Sequence, residues 1–506
     1  MLTPCVRSSA AWLAFYVALA FVLLLPLSLT PGSRLPDDGD AVLGLWIIWW
    51  GATHLFSGLS SILDANAFYP HPGGLLYSEP MLGQALLFRP LFSWLKDPIL
   101  AMNLLTIGTL GSSALAGQWL FRDLTGSRVG SVIGAVFFAF NAYSFSQLAR
   151  IQLITLQWMP LGLLCLHRFF ARGRKLYLLG FAFFSILQGL SCFYYLLFYL
   201  VGLAVLLPTY LRAFRGATNV RSLASIAVSG FSVGAVLSIL ALPFLRLYAH
   251  YEFSGQADSY DLAGYFLPRS RNLLYQSFEV RPLLVDHFLG YLGLAIGVVG
   301  VVSFLRDRTR AEERTVALGY LVVGLLSFLL SAGPELEFHG RALGPGPFSL
   351  LAAMGPFQNL RAPDRFSVMV TLCLGLFIAR GADALLRRPR WGNGRIVVGA
   401  SVLTGLLLAE HWSPRRTEGR EMPGVSEIPD VYPWLSAYPG GDVVAELPAR
   451  PQREMRFITM DAYFSIFHRK KILFNKPSFY PPAMGLLQWE LRSFPSRSSV
   501  ILLQAI

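Results

Sequence analysis

The chain has 506 residues, 54% of them hydrophobic and only 14% charged, with a mean hydropathy of +0.52 and a formal net charge of +13. Soluble domains carry about 25% charged residues, so this deficit excludes an ordinary soluble globular protein and points to the membrane class. The positive charge does not imply nucleic acid as a partner, because the bases gather in short clusters between apolar runs, as in cytoplasmic loops that anchor membrane helices.

Apolar runs of roughly 17–25 residues, each long enough to cross a bilayer, predict about eleven spans. The first, Ala11–Leu29, follows Arg7. It is longer than a signal-peptide core and lacks a small-x-small cleavage site, so it reads as a retained helix. Ile99–Leu120, Val129–Phe145, Leu153–Phe169, Leu176–Leu190 and Phe193–Tyr210 come next, then Leu223–Tyr248, Phe288–Leu305, Val316–Ala332, Phe366–Leu385 and Ile396–Leu408. The pair flanking Gly189–Ser191 reads as two helices or as one long kinked helix; two make the loops alternate.

Orientation follows from Lys and Arg in short loops. Clusters such as Arg168, Arg172, Arg174 and Lys175, or Arg306, Arg308, Arg310 and Arg314, fall on the same side as Arg7, whereas Pro31–Ser78 holds a single base, Arg34. This places the N-terminus on the cytoplasmic side. The acids Asp37, Asp38 and Asp40, the loops near 250–286 and 333–365, and the C-terminal tail are then extracytoplasmic.

Between the first two spans, the outer loop 31–98 is too long for a turn. Leu43–Leu59, with Trp46, Trp49 and Trp50, and Met81–Trp94 read as helices along the outer membrane face, with the tryptophans at headgroup level. An extra hairpin of spans is the alternative, and it keeps the same orientation. From about His411 the composition turns polar. Here "YPWLSAYPGGDVVAELP" predicts a short helix, a turn and a strand Asp442–Leu447, and "SRSSVILLQAI" begins like a capped helix. The expected fold is thus an all-α polytopic membrane domain, 1–410, with interfacial helices, followed by a small α/β segment, 411–506. No closing strand is evident in that segment, so it is expected to be incomplete or to lean on the membrane part.

The four cysteines, Cys5, Cys165, Cys192 and Cys373, show neither metal-ligand spacing nor a disulfide framework. No zinc-protease, nucleophile-elbow or P-loop pattern stands out. The candidate chemistry lies in outer loops instead. In "LPDDGDAVLG", Asp40 can cap the helix that follows, while Asp37 reads as a solvated turn residue. Clustered carboxylates at a low-dielectric boundary can also hold a divalent ion through oxygen ligands or supply a general base. A second loop, "DANAFYPHPGGLLYSE", offers Asp64, Asn66, Tyr69, His71 and Glu79, and His54 precedes it; lone histidines of this kind more commonly make interfacial hydrogen bonds. Arg361 and Arg365 in "NLRAPDRFS", and Arg269 and Arg271, read either as snorkelling side chains or as phosphate clamps.

The order "DxGD…W…W…H", "DANAFYPHPGGLLYSE", "NLLTIGTLGSSALAGQWLFRDLTGSR", "FAFNAYSFSQLARIQLITLQWMPLGLLCLHR", "LQGLSCFYYLLF", "LRAPDRF" and "YPWLSAYPGGDVVAEL" resembles a large bacterial family of polytopic proteins grouped with GT-C-type glycosyltransferases. It is similar to the lipopolysaccharide-sugar transferase and YfhO-like membrane proteins. The resemblance implies transfer of a hexosyl or pentosyl unit from a polyprenyl-phosphate donor to an extracytoplasmic acceptor. It makes Asp40, and after it Asp38, the base or a ligand to a divalent cation such as Mg or Mn. It assigns Glu79 to acceptor or sugar and Arg361 and Arg365 to the lipid phosphate; Asp64, Tyr69 and His54, read from the outer segment itself, join Glu79 as substrate-binding candidates. The chain departs from the family at "FNKPSFYPP", where related proteins carry "NGYSGF". The other reading is a non-enzymatic transporter or assembly factor for lipid-linked glycans, and a relative with the fold but no activity is a third.

Overall fold

A computed structural model describes residues 4–216, 219–249, 257–268, 273–275, 286–307, 311–358, 360–387, 392–449, 455–482 and 484–506. The chain forms two compact units, each gathered from separate stretches. One comprises Met1–Leu24, Ile107–Gln147 and Leu153–Arg416; the other comprises Leu25–Thr106, Leu148–Gln152 and Thr417–Ile506. This division does not follow the boundary at 410 that composition suggests.

The first unit is helical. Among the described residues of the chain, 8 helices are long and apolar enough to cross a membrane. Ser8–Leu23, Leu176–Ser191 and Tyr291–Arg306 are shorter apolar helices. Together they coincide with the apolar runs of the sequence. At the centre lies Ser367–Leu386, buried over nearly its whole length and packed between Arg128–Ala139 and Tyr291–Arg306. Small residues allow these helices to approach closely. A Cβ at Gly300 would lie 1.9 Å from the Phe377 carbonyl oxygen, and one at Gly381 would lie 2.0 Å from that of Ile296.

Two breaks refine the expected spans. Cys192 is extended between Leu176–Ser191 and Phe193–Ala213, so the ambiguous pair is two helices. The run expected as Val129–Phe145 is interrupted at Asn141. Its side chain accepts from the Ser144 amide at 3.0 Å and donates to the Phe138 carbonyl at 2.9 Å, serving both helix ends. At the other extreme of burial, the 18-residue apolar window of Val220–Leu247 is only 6% buried. An apolar helix so exposed is unfavourable in water and suited to lipid tails. Near the loop 333–365, a hairpin pairs Glu335–Phe338 with Arg341–Pro345. Asp261 holds its turn through the His339 and Gly340 amides.

The second unit is built around the helix Asp40–His54, which packs on Leu82–Leu95 and Met455–His468. Trp46, Trp49 and Trp50, expected at headgroup level, are buried in this unit. Trp46 Nε1 donates to Asn66 Oδ1 at 3.1 Å, and Trp50 Nε1 to the Ile62 carbonyl at 2.9 Å. An indole needs one apolar flank and one acceptor, and a protein core supplies both as well as an interface does. Short ladders tie distant chain segments together. Arg34–Leu35 pairs antiparallel with Arg420–Glu421, and Val443–Val444 pairs parallel with Lys471–Ile472. Helices Val431–Ala437 and Arg497–Ala505 complete the tail, the latter capped by Ser496, which accepts from the Ser499 amide.

Candidate functional site

The helix Asp40–His54 begins at the acidic stretch, but the cap is not Asp40. Asp37 Oδ1 accepts from the Ala41 amide at 2.8 Å and from the Gly39 amide at 3.0 Å. Asp40 is the first helical residue, and its carboxylate accepts from side chains rather than from the amides it was expected to cap. The roles of the two acids are therefore exchanged: Asp37 is the half-buried structural one, and Asp40 is available for other groups.

Those groups are two cations. Arg150 Nε donates to Asp40 Oδ2 at 2.8 Å, and Lys476 Nζ donates to Asp40 Oδ1. Arg150 immediately precedes the short helix Ile151–Ile154. Lys476 follows the strand Lys471–Ile472, whose Ile472 amide donates to the Asn66 carbonyl at 2.9 Å. The Ser478 amide in turn donates to the Tyr77 carbonyl at 2.8 Å, so the lysine rides on a segment fixed at both sides. Only 23% of the Asp40 side chain is exposed. Burial pushes its carboxyl up, yet the Arg150 and Lys476 charges outweigh this and hold it below the usual carboxylate range. For Asp37 the balance reverses: burial raises it, the amides of Ala41 and Gly39 oppose the rise only in part, and the Asp40 charge adds to it.

Around this centre the other expected residues take local partners. The Asp38 carbonyl accepts from Thr459 Oγ1 at 2.9 Å. Asp64 Oδ1 accepts from the Gly73 amide at 2.9 Å, closing the loop 64–73. Tyr69 donates its hydroxyl to the Ile506 carbonyl at 2.8 Å, and the Lys471 ammonium lies 5.7 Å from its ring centroid. His54 stacks on Trp50 with ring centroids 3.8 Å apart, and its Nδ1 lies 3.1 Å from the Trp50 carbonyl oxygen, a helix-end arrangement. Glu79 is half-buried, two residues beyond the buried Tyr77, whose ring packs 5.4 Å from that of Phe479. The loop 64–79 and the 470s segment are thus laced together, and the same segment carries Lys476.

Arg361 and Arg365 belong to the other unit. Arg361 is exposed, and the Arg365 guanidinium lies 4.6 Å from the centroid of the Tyr194 ring. Next to Arg365 in sequence, Asp364 Oδ2 lies 3.3 Å from Nε2 of the fully buried His287. Tyr143, Tyr260 and Tyr265 surround that imidazole, with centroids 5.3, 4.2 and 5.4 Å away. Arg269 and Arg271 lie outside the described residues.

A divalent ion does not fit the Asp40 carboxylate as its two partners hold it. It would ligate through carboxylate oxygens at about 2.0–2.6 Å, and those of Asp40 are engaged by an ammonium and a guanidinium. Among the described residues, no three His, Cys, Asp or Glu side chains converge to hold a metal. Sequence reasoning passed over Arg150, Lys476 and His287. Arg150 carries a signal all the same: it is a base in a short loop on the side that the positive-inside count leaves poor in bases. Lys476 sits inside "FNKPSFYPP", in the polar tail, where no spacing to the acidic stretch marks it.

The chain superposes on the apo crystal structure of an oligosaccharyltransferase from Archaeoglobus fulgidus with a TM-score of 0.50 and 12% identity, covering 92% of this chain and 64% of that one. The same archaeon's oligosaccharyltransferase AglB, in complex with an inhibitory peptide and a dolichol-phosphate, matches with a TM-score of 0.43, 12% identity and the same coverage. A complex with Zn and sulfate matches at 0.45 and 13% identity, over 91% and 62% of the two chains. The chain thus spans less than two thirds of the length of these structures, and the likeness is one of fold. No curated protein matches it by sequence. A family model does match, over residues 61–407, a stretch that includes Glu79, Arg150, Arg361 and Arg365 and lies between Asp40 and Lys476. That stretch is more than half of the 506 residues, and the chain belongs to the family of that model, the domain of unknown function DUF6311.

Proposed function

We propose that this chain is a membrane glycosyltransferase that moves a sugar from a polyprenyl-phosphate donor to a glycan, lipid or protein acceptor outside the cytoplasm. In this reading about eleven helices cross a bacterial inner membrane, with the N-terminus in the cytoplasm and the tail in the cell envelope. The fold shared with an oligosaccharyltransferase supports it. The observation that carries it is Asp40, a largely buried carboxylate at a helix start, held between Arg150 and Lys476.

A carboxylate so paired is a weak base, and substrate changes that. The donor phosphate competes for the two cations, and Asp40, relieved of them, regains basicity because burial alone pushes its carboxyl up. Asp40 then takes the proton of the acceptor hydroxyl. The freed oxygen bonds to the anomeric carbon, the bond from that carbon to the phosphate oxygen breaks, and the phosphate leaves with the electron pair. Arg361 and Arg365 serve the lipid phosphate, Glu79 positions sugar or acceptor, and Asp38 is the second choice of base. Asp64, Tyr69 and His54 line the substrate approach.

Reconstituted protein tests this. Wild type is expected to consume polyprenyl-linked sugar, and Asp40→Asn to do so roughly 100-fold more slowly or worse. Undiminished turnover in Asp40→Asn would remove Asp40 from the chemistry. Wild type that binds the lipid-linked sugar without consuming it would favour a transporter or assembly factor.

A further inference from the structure

We propose that Lys476 and Arg150 stand in place of a divalent cation at Asp40, so that the chain compensates this carboxylate itself and the site works without bound metal. The proposal rests on the glycosyltransferase reading only for what the site is used for. The charge arrangement stands on geometry. Each cation takes a different oxygen of Asp40, Lys476 on Oδ1 and Arg150 on Oδ2, so neither oxygen faces open solvent alone. A hard divalent ion ligates through these same oxygens and would have to expel both cations or sit against them.

Neither cation is a loose surface charge. The side chains of Lys476 and Arg150 are 20% and 37% exposed. The Lys476 backbone amide is itself held, donating to Asn475 Oδ1 at 2.7 Å, next to a chain anchored on Tyr77. Asp37, another acid of the same stretch, is engaged as well: its Oδ1 accepts two backbone amides. What a phosphate would meet here is an ammonium and a guanidinium, the first a compact point charge and the second a fork that matches phosphate oxygens.

Full-length protein purified in detergent decides the matter with Mn(II) as the probe, bound ion being counted from the electron paramagnetic resonance signal of free Mn(II). Wild type and Asp40→Asn are expected to give the same titration curve. A stoichiometric Mn(II) site in wild type that Asp40→Asn abolishes would overturn the proposal. This readout needs no turnover, so it remains decisive even if wild type consumes no polyprenyl-linked sugar and the glycosyltransferase reading fails. With active protein, a chelator is expected to leave turnover unchanged. Lys476→Met should lower turnover at least tenfold, while Lys476→Arg, which keeps a cation and guards against misfolding as the cause, should retain most of it. Turnover lost to chelator and restored by Mn(II), or full turnover in Lys476→Met, would count against it.

Discussion

Asp37 and Asp40 are three residues apart, and their surroundings shift the two carboxyls in opposite directions. Asp37 receives two amides yet is raised by burial, whereas Asp40 is buried too but is lowered by two cations. The sign of the stability effect follows from the second. A carboxyl held below its unfolded value stabilises the fold above that value, about 3.9, and the contribution is lost as pH falls through the folded pKa. Wild type should therefore unfold at a higher temperature than Asp40→Asn at pH 6–7, and the gap should close below roughly pH 4. A gap that persists or widens in acid would mean that Asp40 is not held ionised by Arg150 and Lys476. At this scale little of the site was legible in the sequence. Three clustered acids marked the place, but which of them caps the helix depends on backbone geometry. The partners of Asp40 lie 110 and 436 residues further along the chain.

Elements were far more legible, because a run of apolar residues long enough to span a bilayer has few alternatives to a helix. What composition could not show was which face each helix buries. The tryptophans of Asp40–His54 look the same whether they meet headgroups or a protein core, and only the acceptors at Asn66 and Ile62 decide. The close packing of Tyr291–Arg306 against Ser367–Leu386 was equally hidden, since glycines in apolar helices have many uses. Gly300 and Gly381 face backbone carbonyls that cannot rotate aside as a side chain would. Gly300→Ala and Gly381→Ala should each cost about 1–3 kcal/mol, read as a lower unfolding midpoint in detergent. Alanine is the best helix former, so unchanged or higher stability would show that the two helices are not so close.

For the whole molecule, the membrane class and the helical fold came from composition and apolar runs, and the fold shared with an oligosaccharyltransferase agrees with them. The division into units was not legible, because it joins Leu25–Thr106 to the tail across most of the chain. Orientation is tested directly by labelling. In a chain freed of its four cysteines, Asp40→Cys in intact cells should react with a membrane-impermeant thiol reagent. Protection until the cells are broken open would reverse the proposed topology and take the glycosyltransferase reading with it.

The span between Asp40 and Lys476 has a consequence for biosynthesis. A ribosome adds about 5–20 residues per second, so the acid precedes its lysine by roughly 20–90 seconds. Throughout that interval the helix Asp40–His54 lacks not only Lys476 but also the helix Met455–His468 that covers it. The second unit therefore cannot close around its own centre as it is made. A nascent chain stalled before residue 455 would leave the face of Asp40–His54 that this helix covers without its partner.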